Sequence, residues 1–485
     1  MKTKNGIEIL PIKINFNVTA DIKRFVNIHI ILAEKVYLID AGVSGAIEQI
    51  RSALQNAGRT TEEIGGILLT HTHPDHIGCV MQIKELAPQC KVYVSAAERG
   101  WLENIDLQYQ QRPIPNFYML SGASVQPDVL VRPGDVIVLE DDIKLEAIDC
   151  SGHSHGSLAY YWAEHGTIFT GDAIPAANDI PIFSSLTHSI DTLRRLQNID
   201  GINQIFSAWE ACKHSATIRN HLAWAEDMLT GISTAISQVC QRSDACFTSF
   251  EDKHRMICKT LGLTALQEHP LFIRSIKAGI QEYYENLLYR TCKNLEKRGF
   301  KTVVCPDSQD AYRIVSEMLD ALQPDIIGFG NSQTVRFCGI LELANRKGKR
   351  VYQHDPRNFS AVEDRIALHS DVYFTSANAL SEEGYIVNID GTGNRTGATC
   401  FGPQNVIYVV GRNKITPTLD DALKRAQNAA VRLASFYKRK TPCAKTGRCH
   451  DCLAAECVCG VTTVHRKALI GNVINVILVN EDIGL

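Results

Sequence analysis

Apolar residues in the first 210 positions fall in short runs, each closed by a polar or glycine-bearing turn. "NIHIILAEKVYLIDAG" (27–42) reads as two β-rich runs joined by a tight polar turn at Glu34–Lys35. "GAIEQIRSALQNAG" (45–58) repeats its apolar residues at helical spacing and stops at Gly58. Strand candidates follow at 66–70, 91–95, 135–140, 143–149, 158–162 and 167–170. Residues 215 to 300 carry apolar positions at helical spacing, with a polar break around 241–255. From about 286 the alternation restarts: a helix ending at Gly299, strand 301–305, helix 309–322, strand 325–330, a helix near 334–347, then strand "RVYQ". Strands alternating with helices predict a mostly parallel sheet covered on both faces.

Composition narrows the classes. The chain has 485 residues, 45% hydrophobic and 21% charged, as an ordinary soluble globular protein does. A net charge of −3 gives no field that favours nucleic acid or an anionic membrane surface. No apolar run suits a signal peptide or a membrane span, so the expected location is the cytoplasm. Sixteen cysteines in such a chain do not read as a disulfide framework. Eleven are scattered from Cys79 to Cys400 and read as small buried hydrophobes. The other five crowd into residues 443 to 459.

The chemistry-bearing stretch of the first half is "ILLTHTHPDHIGCV" (67–80). A buried-looking strand ends in three histidines and an aspartate within six residues. The imidazoles of His71 and His73 can point to one side of an extended turn, and Asp75 and His76 can serve a second position beside it. Neutral imidazole and carboxylate suit zinc, iron or manganese. "DCSGHSHGS" (149–157) adds His153, and "TIFTGDAI" (167–174) ends a strand with Asp172, a carboxylate able to bridge two metals. In this order, from "YLIDAG" through "HTHPDHIG" and "SGHSHGS" to "FTGDAI", the motifs resemble the metallo-β-lactamase superfamily over about residues 10 to 215. The resemblance implies an αββα sandwich with a metal site on one edge. It implies one metal on His71, His73 and His153, and a second on Asp75 and His76, with Asp172 bridging.

One departure stands out. The superfamily usually supplies a last histidine at a strand end, and here that strand reads "QIFSAWEACKHS". Trp209 stands about where the histidine belongs, which leaves Glu210, His214 or no ligand at that position. His155, where proline is frequent, is an extra ligand, a proton carrier or a surface histidine. An iron pair would allow redox chemistry, but the acidic second position of the flavin-linked branch is His73 here.

In the second half, "IIGFGNSQTVRFCGI" (326–340) places Gly328, Gly330, Ser332 and Thr334 between a strand and a helix. Such residues let backbone N–H groups approach an anion, or simply pack tightly. Residues 376–415 read as glycine-rich loops around one strand, "VIYVVG". With "TPCAKTGRCHDC", this stretch resembles the lactate-utilisation (LUD) domain family over about residues 286 to 485. The resemblance implies a fold like ribose-5-phosphate isomerase and CoA transferases. It suggests a carboxylate or phosphate near Gly330, Ser332, Thr334, Asn378, Glu383 and Arg395. "CAKTGRCHDCLAAECVC" has thiolates close enough for one tetrahedral zinc or one cubane cluster, with Cys443, Cys449, Cys452 and Cys457 the favoured set. The family's link to anaerobic carbon metabolism inclines the choice to a 4Fe-4S cluster over zinc.

The expected organisation is therefore α/β throughout: a metallo-β-lactamase-like domain (1–215), a helical region (216–285) and a LUD-like domain (286–485). The expected activity is metal-dependent hydrolysis of a small ester, lactone or thioester by zinc or iron, with Asp75, His71 and His73 catalytic. The alternative is an iron-sulfur oxidoreductase or lyase of hydroxy-acid catabolism with its chemistry in the C-terminal half. A small molecule is the expected partner, neither nucleic acid nor membrane is, and a homo-oligomer is left open.

Overall fold

The apolar alternation of the first half becomes two stacked six-stranded sheets. The computed structural model describes residues 7–18, 23–177, 179–242, 249–355 and 360–485. The first sheet runs in chain order through β1 (Glu8–Asn17), β2 (Lys23–Leu32), β3 (Val36–Ile39), β4 (Ile64–Leu68), β5 (Lys91–Ser95) and β6 (Val129–Val131). Its first three strands pair antiparallel and the rest parallel. The second comprises β7 (Val136–Glu140), β8 (Ile143–Asp149), β9 (Leu158–Trp162), β10 (Thr167–Gly171), β11 (Gln204–Ser207) and β12 (Lys213–His214), also in sequential order. Ile9, Ile31, Tyr37 and Leu68 of the first sheet bury against Leu145, Tyr160, Trp162 and Phe169 of the second. Ile14, Ile28, Leu38 and Ile67, on the other face of the first sheet, bury with Ile50 and Leu54 of helix Ile47–Asn56. Two faces of one sheet are thus both apolar, which is why its strands read as continuous runs rather than alternations. The expected αββα layering follows from this packing.

The chain divides into two compact units, residues 1–235 with 257–279, and 236–256 with 280–485. The helical region is thus shared out between them rather than standing alone. It consists of helices Ser215–Cys240, Phe250–Leu261 and Pro270–Lys297. The core of the polar break, 243–248, lies outside the described residues.

In the second unit, strands β13 (Lys301–Cys305), β14 (Ile326–Phe329), β15 (Arg350–Gln353), β16 (Val372–Thr375), β17 (Ala379–Ser381), β18 (Ile386–Asp390), β19 (Asn405–Gly411), β20 (Ile415–Thr416), β21 (Val461–His465) and β22 (Val473–Val479) make two sheets. One is wholly parallel in the order β13-β22-β19-β16-β14-β15. Buried clusters cover both its faces, as the alternating pattern predicts. The other, β20-β17-β18-β21, draws β17, β18 and the start of β20 from the stretch expected to be mostly loop and β21 from beyond it. The single helix expected near 334–347 is two, Gln333–Phe337 and Ile340–Arg346. Gly339 between them has φ 67°, a left-handed conformation that ends the first helix. No described helix is long and apolar enough to cross a membrane.

Candidate metal centre

The histidine cluster sits where β4, β8 and β10 end on one edge of the sandwich. Beyond β4, the chain extends through Thr70–His73 and turns into the short helix Pro74–Ile77. His153 comes from the loop between β8 and β9, and Asp172 directly follows β10. Among the described residues, donor atoms converge in two sets: His71, His73 and His153, and His71, His76 and Asp172. All are buried except Asp172, which is partly so.

The geometry assigns the donor atoms. His73 Nδ1 lies 3.0 Å from His71 Nε2 and 2.9 Å from His153 Nε2. Asp172 Oδ2 stands 3.3 Å from His153 Nε2 and 4.0 Å from His71 Nε2. Its other oxygen, Oδ1, lies 3.2 Å from His76 Nε2, and Asp75 Oδ2 lies 3.9 Å from that same nitrogen. One carboxylate therefore turns one oxygen to His76 and the other to His153.

The outer ring nitrogens are committed elsewhere. His153 Nδ1 donates to the Ile182 carbonyl at 3.1 Å. His76 Nδ1 donates to Asp40 Oδ2 at 2.8 Å. Thr70 Oγ1 donates to Asp40 and in turn accepts from His71 Nδ1 at 3.1 Å. His71 and His153 thus turn a bare nitrogen inward, the arrangement that metal ligation needs, while His76 turns Nε2 toward Asp172. Asp40, the aspartate of "YLIDAG", holds both sides of the site. It has φ 64°, which aspartate tolerates better than most side chains. Glu98, also buried, ties the two ligand loops together. It accepts from Thr72 N and Oγ1 at 2.7 and 2.8 Å, from Gly156 N at 3.0 Å and from Ser154 Oγ.

Buried His76 Nε2 and Asp172 Oδ1 have no hydrogen-bond partner, though they lie close together. Burying such groups is costly unless a cation satisfies them, so the donor set fits a divalent metal. Electrostatics divide the set. Burial, aided by the charge on neighbours, depresses His71, His73 and His153 and keeps them neutral. At His76 burial is outweighed by Asp172, Asp40 and Asp75, which hold its pKa well above the ordinary range. Burial raises Asp75. It opposes ionisation of Asp172 too, but His76 and His153 prevail and hold that carboxyl well below its usual range.

The position of the superfamily's last histidine is filled by Trp209, which shares a small cavity with His153 and Asp172. Its indole lies under the Arg24 guanidinium, 4.5 Å from the ring centre. Glu210 does not substitute: its carboxylate takes Ala177 N at 2.9 Å and Lys213 and His221 at 3.1 Å. His214 lies on β12 and is exposed. His155 also stays out of both donor sets, held to the Ala97 carbonyl at 2.9 Å and against the Trp101 ring.

Residues 22–201 match the Metallo-beta-lactamase superfamily model, and residues 288–479 match that of the LUD domain. The chain joins a metallo-β-lactamase superfamily domain to a LUD domain. An uncharacterised protein of Bacillus subtilis is 28% identical over 159 residues, which are 32% of this chain and 65% of that protein. A hydroxyacylglutathione hydrolase of Gloeobacter violaceus is 25% identical over 173 residues, 36% of this chain and 58% of the relative. A probable metallo-hydrolase of Methanocaldococcus jannaschii is 28% identical over 189 residues, 37% of this chain and 85% of the relative. The chain thus spans about three-fifths of the length of the first two. A metallo-beta-lactamase family protein of Thermus thermophilus superposes with TM-score 0.45 at 17% identity, over 58% of this chain and 94% of that one.

In the LUD domain the expected anion residues part company. Gly330 and Arg395 line one cavity of about 370 Å³ with Asn331, His354, Tyr437 and Arg439. Asn378 braces Arg395 from behind, its Oδ1 accepting from Nη2 at 3.0 Å. Ser332 caps helix Gln333–Phe337, and Thr334 accepts from the buried Lys414 Nζ at 2.7 Å. Glu383 is exposed and caps helix Leu419–Phe436 through Leu419 N at 3.0 Å. Ser332 and Glu383 thus serve backbone N–H groups at helix starts and Thr334 a buried lysine, uses that residue type alone does not reveal.

Cys443, Cys449, Cys452 and Cys457 line a second cavity of about 600 Å³ together with Cys459, the thiol left out of the favoured set. They are absent from the donor sets drawn within 4.8 Å among the described residues. Partial desolvation, then the charge of Cys457, Cys449 and Cys443, pushes the Cys459 thiol up to about 11, so it sits among them. Cys457 lines both cavities.

Proposed function

We propose that the protein is a metal-dependent hydrolase of a small ester, lactone or thioester, acting in the cytoplasm. The observation that carries this reading is the pair of donor sets that share His71 (His71, His73, His153 and His71, His76, Asp172), with Asp172 turning one oxygen to His153 and the other to His76, beside Asp75. A divalent zinc or iron bound there supplies Lewis acidity, which activates water and polarises an acyl oxygen. The protein's own part is to orient and to move protons. Asp40, Thr70 and the Ile182 carbonyl hold the outer ring nitrogens of His76, His71 and His153 and so aim the inner ones at the site. Asp75 Oδ2, its pKa raised by burial, is suited to take a proton from the attacking water and pass it to the leaving group. The names of the relatives support hydrolysis. The LUD domain would bind the acid released, in the cavity of Gly330 and Arg395.

A second reading places the chemistry in the LUD domain, at a 4Fe-4S cluster or zinc on the cysteine loop. The wall that Cys457 gives to both cavities favours it, since a small acid would then meet the thiolate-held group. Two variants separate the readings. Hydrolysis predicts that His71→Ala loses more than about 100-fold in turnover, beyond the effect of outer-shell changes. It predicts that Cys449→Ala keeps its rate. Chemistry in the LUD domain predicts the reverse, with iron and acid-labile sulfide lost from Cys449→Ala.

A further inference from the structure

The metal centre has a cationic neighbour that no motif announced. Helix Ile105–Gln111 is pinned beside the ligand loop: buried Gln108 donates Nε2 to Thr72 O at 2.6 Å, between His71 and His73. From the same helix, Gln111 Oε1 accepts from Trp101 Nε1 at 2.6 Å, and the Trp101 ring is stacked on His73 at 6.3 Å. Arg112 is the next residue, closing the helix through its N–H to Gln108 O at 2.7 Å. Its guanidinium is half-buried and, among the described residues, forms no hydrogen bond and no ion pair within 4.0 Å. Its charge nonetheless reaches His71, His73, His153 and Asp75.

A second guanidinium joins it. Arg274 of helix Pro270–Lys297 donates Nη2 to the Pro113 carbonyl at 2.5 Å, while its buried Nη1 has no partner. Burial, with Arg274 next, lowers the Arg112 pKa to about 10 against the opposing pull of Asp75, Asp172 and Glu98. The two like charges repel, and no carboxylate among the described residues lies within ion-pair distance of Arg112, although Asp75, Asp172 and Glu98 act on it from further off. An oxyanion placed between them would turn that repulsion into two charge-assisted contacts. Gln108 and Gln111, just before Arg112, touch the ligand loop and the Trp101 ring that stacks on His73, and Arg274 is tied to Pro113 just after it, so both arginines are anchored beside the metal centre.

We propose that Arg112 and Arg274 bind an anionic oxygen group, carboxylate or phosphate, carried by the substrate, so that the hydrolysed ester or thioester is an acidic one. The inference rests on the hydrolase reading for its reaction, and on the two arginines for its site.

The test uses the full-length, metal-loaded protein and its Arg112→Gln, Arg274→Gln and Arg112→Lys variants, with metal content checked by elemental analysis. S-lactoylglutathione carries carboxylates, whereas S-lactoyl-N-acetylcysteamine has no charge. The glutamine variants should lose about 10- to 100-fold in kcat/KM on the charged thioester, mainly through KM, as expected for a contact to a charged group. That loss should exceed the loss on the uncharged thioester by at least about tenfold, and Arg112→Lys should recover part of it. Equal losses on both thioesters, or none, would overturn the proposal. Calorimetric titration with succinate and with inorganic phosphate separates carboxylate from phosphate recognition. It also separates the two readings. Arginine-dependent binding without turnover of either thioester keeps the anion site and removes the hydrolase. Turnover of both with no arginine dependence keeps the hydrolase and removes the site.

Discussion

Asp40 and Trp209 show how differently single residues declare themselves. The run His71, His73, Asp75, His76 was legible because four ligand-type side chains in six positions have few structural uses. His153 and Asp172 followed from motif order. Asp40 and Glu98 were not legible as site residues, because each acts only by what folds against it from well outside its own motif. Arg112 carries no motif at all. Trp209 was legible as a departure, and the structure adds that it faces the cavity of His153 and Asp172. Replacing it with histidine offers a nitrogen donor in the cavity that Asp172 lines. Trp209→His should tighten the second metal by at least about tenfold, or about 1.4 kcal/mol. Metal retained during dialysis against graded chelator checks this; retention equal to the parent's would mean that position 209 does not reach the site.

Elements were read best where apolar runs were sharply bounded. The strands expected at 91–95, 143–149, 158–162, 167–170 and 301–305 fall within a residue of their places, whereas β1, β6, β16 and β22 were not expected. Short ones were lost: β17 has three residues and ends beside Gly384, too little chain for a period to show. Strand ends also do chemistry here. Gly171, the last residue of β10, has φ 52°, and a Cβ there would lie 2.3 Å from Thr70 Oγ1. Alanine at this position must strain the backbone and push away the hydroxyl that orients His71. We expect Gly171→Ala to cost about 2–4 kcal/mol and to leave a metal that chelators strip more readily. Thermal unfolding with and without metal measures both; an unchanged midpoint and unchanged retention would sink the argument.

At the scale of the molecule, the match to the superfamily ends at residue 201, but the compact unit takes in 257–279 as well. Ser275 Oγ accepts from Phe183 N at 3.1 Å and so steadies the loop whose Ile182 carbonyl orients His153. The helical periodicity of that region was plain, but not its partner, since periodicity reports a buried face and never what covers it. A fragment ending at residue 215 should therefore hold less metal than one ending at 279. It should also melt at least about 4 °C lower, the effect of leaving about 1–2 kcal/mol of amide unsatisfied. Equal metal content and melting of the two fragments would show the segment to be dispensable.

The order of strands in the second unit has a further consequence for how the protein is made. β22, residues 473–479, lies between β13 and β19. During synthesis the sheet stays open along its middle until those residues leave the ribosome, and the cysteines at 443–459 emerge before them. Their thiols therefore meet the surrounding solution while the sheet is still incomplete, and whatever loads them has its access before the fold closes.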